Sequence, residues 1–278
     1  MAECSDSDGN CTLGVDADGQ PAQCLGEWSP EKHEILGRYI EATWGVRQKF
    51  VGPGKAGAAF VDLFAGPGRG RVRETGVFVD GSPLFALKHE KARFSQVVLC
   101  EKNPANAAIL RGRVLSDARA QVIEGDCNEK IDEVLNQVPS AGFNIALVDP
   151  YGLSIQFGTF VRIGHRTERT DLLIHVPLLA IQRNFWNESF RLSLDVFLGT
   201  SAWRSEVTRP EHVSRFVALL LKQLESLGYR GADVSAFSIK NRSNRPLYAL
   251  VGVSKNEKGS QIWNSIAKTG PSGQKGFW

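Results

Sequence analysis

Short apolar runs alternate with helix-patterned stretches along the first half of the chain, and this alternation most restricts how it can fold. AAFVDLF (58–64), QVVLCE (96–101), QVIEGD (121–126) and NIALVD (144–149) are rich in Val, Ile, Leu and Phe and apolar on both faces, as strands buried in a parallel sheet must be. Helical candidates lie between them at 82–91, 104–117 and 128–137, and DLLIHV (171–176) is a fifth strand candidate. Strands separated by helices of this length make a doubly wound α/β sheet.

The flanks extend this frame. WSPEKHEILGRYIEATWGV (28–46) starts as a helix, with Ser29 placed to cap, Pro30 in the first turn and Glu31 near the positive end of the dipole. Ile35, Leu36, Tyr39, Ile40, Thr43 and Trp44 share one face at helical spacing, and GPGKAG (52–57) breaks the pattern. Near the other end, EHVSRFVALLLKQLESLGY (211–229) reads as a helix. DVSAFSIKN (233–241) and RPLYALVGVSK (245–255) read as strands joined by a short NRSN turn. The fold expected is one mostly parallel seven-stranded sheet ending in an antiparallel hairpin, with residues 28–278 as a single domain and 28–50 as its helical extension. Residues 1–27, polar and small, are expected to be a loose acidic tail.

Charge and composition narrow the class. The apolar fraction of 42% suits a globular core. The longest greasy segment, DLLIHVPLLAI (171–181), contains Asp, His and Pro and falls far short of the roughly 20 apolar residues that span a bilayer. The start is acidic, without the basic and apolar regions of a signal peptide. Five Cys, an odd number, fit a reducing compartment, so the expectation is a cytoplasmic protein without membrane contact. Cys4, Cys11 and Cys24 lack zinc spacing, and no metal site is expected. Residues 1–27 hold six acids and no Lys or Arg, which leaves the rest at 33 basic against 24 acidic, a formal +9. A body so charged can attract a polyanion such as nucleic acid.

Open parallel sheets bind ligands at the carboxyl ends of their strands. Here the first strand runs into Gly66-Pro67-Gly68, the second ends on Glu101, the third on Asp126 and the fourth on Asp149. Glycines let backbone approach a ligand that a Cβ would push away. An acid at the second strand end can accept both hydrogen bonds of a ribose diol, and one at the third can accept from an adenine amino group. Together they read an adenosine. The loop is neither G-x-G-x-x-G opening into a helix nor G-x-x-x-x-G-K-[ST], which speaks against dinucleotides and ATP. Asp62 at its base suits a cationic group, and S-adenosylmethionine, with its sulfonium and ammonium, is such a ligand. The cofactor set is Asp62, Phe64, Ala65, Gly66, Pro67, Gly68, Glu101, Lys102, Asp126, Cys127 and Asp149. ALVDPYGLS (146–154) is the expected reaction site. There Asp149, Pro150 and Tyr151 offer a carboxylate for an amine, a stiff turn and a ring for a planar base. A plain strand-end turn with Tyr151 packed in the core is the competing reading. His175, flanked by apolar residues, reads as a core histidine rather than a base. QRNFWNESFR (182–191) and TSAWRS (200–205) read equally as a substrate or nucleic-acid surface and as a lid on the sheet edge.

WSPEKHEILGRYI, FVDLFAGPGRG, GSPLFAL (81–87), ALVDPYGL, FLGTSAWR (197–204) and LYALVGVSKNEKGSQIWNSI (247–266), in this order, resemble the three-Cys-motif partner protein (TcmP) family from about Trp28 to Ile266. The resemblance implies a Rossmann-like class I methyltransferase fold that binds S-adenosylmethionine, and a partner protein containing three cysteines. Amine-methylating nucleic-acid enzymes carry Asp-Pro-Pro-Tyr, whereas this chain has Asp149-Pro150-Tyr151-Gly152, with the aromatic one place earlier. Cytosine-carbon methyltransferases share the Asp-Leu-Phe-Ala-Gly opening but need a Pro-Cys nucleophile, and this chain has no Pro-Cys. The sequence expectation is therefore methyl transfer to a heteroatom of a nucleic-acid base. A peptide or small-molecule acceptor, and a non-catalytic binding protein for the three-cysteine partner, remain open.

Overall fold

The core strands Ala58–Asp62 and Phe143–Val148 are sealed on both faces, and a helix follows each of the core strands Gln96–Glu101 and Ala120–Glu124 between them. The structure, a computed structural model, describes residues 14–27, 29–212, 214–230, 237–240 and 246–268. Cys4, Cys11, the NRSN turn and the start of the strand expected at 233 lie outside the described residues. The chain divides into two compact units, one ending at Asn144 and the other beginning at Ile145. The boundary falls inside a strand.

In the first unit β1 (Gly14–Val15), β2 (Pro21–Leu25), α1 (Ser29–Ala42) and α2 (Trp44–Arg47) lead into β3 (Ala58–Asp62). Then come β4 (Arg69–Val72), β5 (Phe78–Asp80), α3 (Ser82–Lys88), β6 (Gln96–Glu101), α4 (Pro104–Val114), β7 (Ala120–Glu124) and α5 (Cys127–Asn136). Parallel pairing joins β3 to β6 with Val61 opposite Val98, and β6 to β7 with Glu101 opposite Glu124. All five residues of β3 are buried, as a strand with both faces covered requires. Asn103 caps α4, its side chain accepting from the amides of Ala105 and Asn106, with Pro104 in the first turn.

Two expectations need correction here. Residues 14–25, read as part of a loose tail, form β1 and β2. The stretch 68–81, where no strand was expected, forms β4 and β5. They make a second, four-stranded sheet in the order β1-β2-β4-β5. β2 runs parallel to β4 with Gln23 opposite Gly70, a pairing between segments almost fifty residues apart that no local pattern announces. Trp44 also departs from its expected place on the apolar face. The helix breaks at Thr43, and Trp44 is 42% exposed.

β8 (Phe143–Val148) is buried throughout and carries the chain into the second unit. There α6 (Phe157–Arg166), β9 (Thr170–Val176), α7 (Leu178–Asn184), α8 (Glu188–Leu198), α9 (Trp203–Glu206) and α10 (Ser214–Glu225) precede β10 (Phe237–Lys240), β11 (Pro246–Val253) and α11 (Glu257–Lys268). β11 pairs antiparallel with β9, Leu250 opposite His175, and also with β10. Among the described residues no helix is long and apolar enough to cross a membrane.

Arg47 is the most demanding buried group in the first unit. It is fully buried, donates to Ile40 O (2.5 Å), Thr43 Oγ1 (2.7 Å), Ala92 O (3.0 Å) and Lys91 O (3.2 Å), and lies 4.6 Å over the Phe94 ring. Burial pulls its pKa down to about 10. Replacing it strands several acceptors at once, each costing about 1–3 kcal/mol when left unmet. Arg47→Met is expected to destabilise the chain by roughly 2–4 kcal/mol, read as a lowered midpoint in urea unfolding followed by circular dichroism.

Candidate functional site

The glycine loop begins where β3 runs out of sheet. Asp62 is fully buried and its Oδ1 accepts from the Phe64 amide at 3.1 Å, a local turn that ends the strand. Ala65 N–H then donates to Cys100 O at 3.0 Å. Gly66 and Gly68 take φ of 60° and 85°, the left-handed region where a side chain is strained. Leu63, Ala65, Gly66, Pro67 and Gly68 are all buried, Phe64 half-buried.

Glu101 binds this loop to the next strand end. Its Oε2 accepts from Gly66 N–H at 2.7 Å and its Oε1 from Asn103 N–H at 2.7 Å. An ionised carboxylate has about four acceptor positions, so two bonds leave room for a diol, and the side chain is half-buried rather than sealed. Asp126 follows β7 and caps α5, with Oδ1 accepting from Asn128 N–H (2.9 Å) and Nδ2 (2.8 Å) and Oδ2 paired with Lys102 Nζ at 3.0 Å. Burial opposes its charge, but the Lys102 ammonium and the Asn128 donors outweigh burial and hold the carboxyl below the ordinary range. Lys102 is 77% exposed and its own pKa rises through this pair. Cys127 is buried in the first turn of α5, and burial, with Cys100 beside it, keeps its thiol protonated. Cys100 is likewise pushed up to about 12, by burial and then by Glu101. Neither thiol is a nucleophile near neutral pH. The first unit thus gathers Asp62, Phe64, Ala65, Gly66, Pro67, Gly68, Glu101, Lys102, Asp126 and Cys127 around the ends of β3, β6 and β7.

These residues fit an adenosine-bearing cation in their donor and acceptor chemistry, with one qualification to the sequence reading. The loop's backbone is not bare. Gly66 N–H is engaged by Glu101, Pro67 O accepts from Arg113 Nη1 at 2.7 Å, and Gly68 O accepts from Gly81 N–H at 2.9 Å. The loop is shaped and held before any ligand arrives.

Asp149, Pro150 and Tyr151 belong to the second unit. Tyr151 is 49% exposed, which rules out the reading that packs it in the core. Asp149 Oδ1 lies 3.3 Å from His175 Nδ1, with the two side chains 20% and 16% exposed. The His175 ring meets Tyr248 edge-on at 4.4 Å. His175, read as a core histidine, is largely buried and also stands beside the candidate reaction carboxylate. Its apolar sequence neighbours hid this, because a strand alternates faces and the end of β9 reaches the rim. Among the described residues no group of three or more His, Cys, Asp or Glu side chains could hold a metal ion.

No protein-family model and no curated protein matches the chain. Solved structures do. Protein LPL1258 of Legionella pneumophila aligns over 88% of this chain and 92% of its own, at 10% identity and a TM-score of 0.51. That is a likeness of fold. Lower similarity is found to Trm1 of Pyrococcus horikoshii, solved with S-adenosyl-L-methionine (9% identity, 88% of this chain, 62% of that one, TM-score 0.46). TYW2 of M. jannaschii, in complex with AdoMet, aligns at 14% identity over 78% of this chain and 75% of that one, with a TM-score of 0.38.

Asp126 yields a pH prediction. Its folded pKa is lowered, so its contribution to stability is complete above the ordinary Asp value near 3.9 and disappears as pH falls through the lower folded value. Asp126→Ala removes the helix cap and should cost about 1 kcal/mol at pH 7. In unfolding titrations this gap should shrink below about pH 4; a gap independent of pH would show that the carboxylate's charge is irrelevant to α5.

Proposed function

We propose that the chain is an S-adenosylmethionine-dependent methyltransferase of Rossmann-like, seven-stranded class I type, related to the TcmP family. Its acceptor on this reading is a nucleic-acid base methylated on an amine or other heteroatom. The observation that carries it is Glu101. A carboxylate at the end of β6 is held in place by Gly66 and Asn103 amides while keeping acceptor capacity, which is what a ribose diol requires. Asp126 supplies the next acceptor, for the adenine amino group, and Lys102 keeps it ionised. Phe64, Ala65, Gly66, Pro67, Gly68 and Asp62 line the methionine end, with Cys127 entering through its place at the head of α5.

When bound, S-adenosylmethionine supplies an electrophilic methyl group on a sulfonium. The chain's own part is to orient the acceptor and take its proton. Asp149 accepts a hydrogen bond from the attacking amine, Pro150 stiffens the turn, and the exposed Tyr151 ring offers a stacking face for a planar base. The reading rests on the acid-bearing strand ends and on Tyr151's exposure.

The test is calorimetric titration of S-adenosylmethionine and S-adenosylhomocysteine into the wild type and Glu101→Ala. Wild-type binding in the micromolar range is expected, with about a tenfold loss, near 1.4 kcal/mol, in the variant. Absence of binding to either ligand overturns the proposal. Labelled-methyl transfer to RNA, DNA and peptide pools then assigns the acceptor, with Asp149→Ala expected to bind cofactor but not transfer. Cofactor binding without transfer to any pool would favour the partner-binding role.

A further inference from the structure

A buried guanidinium ties the N-terminal segment to the glycine loop. Arg113, in the last turn of α4, has a side chain 4% exposed. Its Nη1 donates to Pro67 O at 2.7 Å. Its Nε and Nη2 take the Asp18 carboxylate at 2.7 and 3.2 Å, and Nη2 also reaches Gln20 O at 3.2 Å. A second tie runs beside it, with Arg69 at the end of the loop bonded to Asp16 (2.5 Å) and to Asp80 (2.7 Å). Behind the turn, β2 lies directly on the loop. A Cβ placed on Gly66 would stand 2.9 Å from Gln23 Oε1, and one on Gly70 would collide with the Leu25 side chain.

The turn that carries these acids borders open space that Leu84 and Ile109 also line. A cavity of about 780 Å³ opens between it and α3 and α4, bordered by Asp16, Asp18, Gln20, Arg69, Lys88 and Arg113. Backbone bonds close the turn and β2 pairs with β4 behind it, and the two acid–arginine contacts tie the turn itself to the loop and to α4. The Arg113 guanidinium holds Asp18 down to about 2, so the contact is intact throughout the physiological range.

We propose that Arg113 and Asp18 are a positioning pair for the cofactor loop, through which residues 14–25 keep Pro67 and its neighbours in the shape that receives ligand. A two-point bond from Asp18 fixes the plane of the guanidinium fork, and a fixed plane leaves Nη1–H only one direction, toward Pro67 O. Without Asp18 the arginine regains rotamers and the Pro67 carbonyl loses a constant donor. The loop then spends part of its time in shapes that cannot bind, and affinity falls by that fraction. This inference rests on the cofactor reading of the loop given above. The segment could instead act as a plug, and the same experiment separates the two.

S-adenosylhomocysteine is titrated into the full-length wild type, Asp18→Asn, Asp18→Glu and Arg113→Lys. Amide hydrogen exchange of Ala65, Gly66 and Gly68 is followed without ligand. Glu41→Gln, which breaks the contacts to Lys91 and His89 elsewhere in the same unit, controls for a general loss of stability. The expected result is a roughly fivefold to tenfold weaker affinity in Asp18→Asn and Arg113→Lys. Exchange at the three loop amides should be faster in both, Asp18→Glu should recover most of the loss, and the control should match wild type. Unchanged affinity and unchanged loop exchange in Asp18→Asn overturn the proposal, and tighter binding overturns it in favour of a plug. If the wild type itself binds nothing, the cofactor reading has failed, and loop exchange alone decides whether Arg113 and Asp18 position the loop.

Discussion

One carboxylate joins the glycine loop of the first unit to the start of α4. Glu101 accepts from Gly66 on one side and Asn103 on the other. Asn103 caps α4, and the last turn of α4 carries Arg113, which reaches back to Pro67, the residue after Gly66. The hydrogen bonds thus form a closed circuit from strand end to helix start, along the helix and back to the loop. A Gly-Pro-Gly turn left alone would sample many shapes; held at adjacent residues from two directions, it has few. Preorganisation of this kind lowers the ordering cost at the moment of binding.

How far the sequence foretold this depends on how local each signal is. The strand QVVLCE matches β6 residue for residue, and β3, β7, β8 and β9 lie within two residues of the expected runs, because a buried strand announces itself by composition alone. The helices that start at Ser82 and Pro104 begin where the expected stretches 82–91 and 104–117 begin. The small sheet was missed for the opposite reason. Arg69-Gly70-Arg71-Val72 does alternate, with Gly70 and Val72 turned inward. Two outward arginines nevertheless read as a loop when the partner strand lies almost fifty residues upstream.

The site was legible in its acids and illegible in its supports. Glu101 and Asp126 stood out because each follows an apolar run, and the structure gives each two or more bonds that fix its orientation. Arg113, by contrast, looks in sequence like any surface arginine in a helix of mixed polarity, and its burial comes from Asp18 and Gln20 arriving from ninety residues away. His175 was illegible for a related reason. Its contacts to Asp149 and Tyr248 come from separate elements, and apolar neighbours in a strand say nothing about which residue sits at the rim.

Charge counting is the other place where sequence and structure part. The acidic first segment and the basic remainder look like separate territories, a tail and a polyanion-attracting body. In the structure Asp16 and Asp18 are spent on Arg69 and Arg113. Within the first unit Arg119 is paired with Asp117 and Lys88 with Asp80, and within the second Arg204 is paired with both Asp195 and Glu188. A cation held by a carboxylate is less available to neutralise a phosphate and release the counterions condensed on a nucleic acid, so these residues add little to salt-sensitive binding. Asp16 and Asp18 lower the formal +9 of the body by two, while the acids of the other pairs are already subtracted in that count. Any nucleic-acid surface on this chain has to be built from other cations and from exposed rings such as Tyr151 and Trp186, the latter 71% exposed and edge-on to Phe185. Such rings add sequence-tolerant stacking to whatever attraction the remaining cations exert on the phosphates.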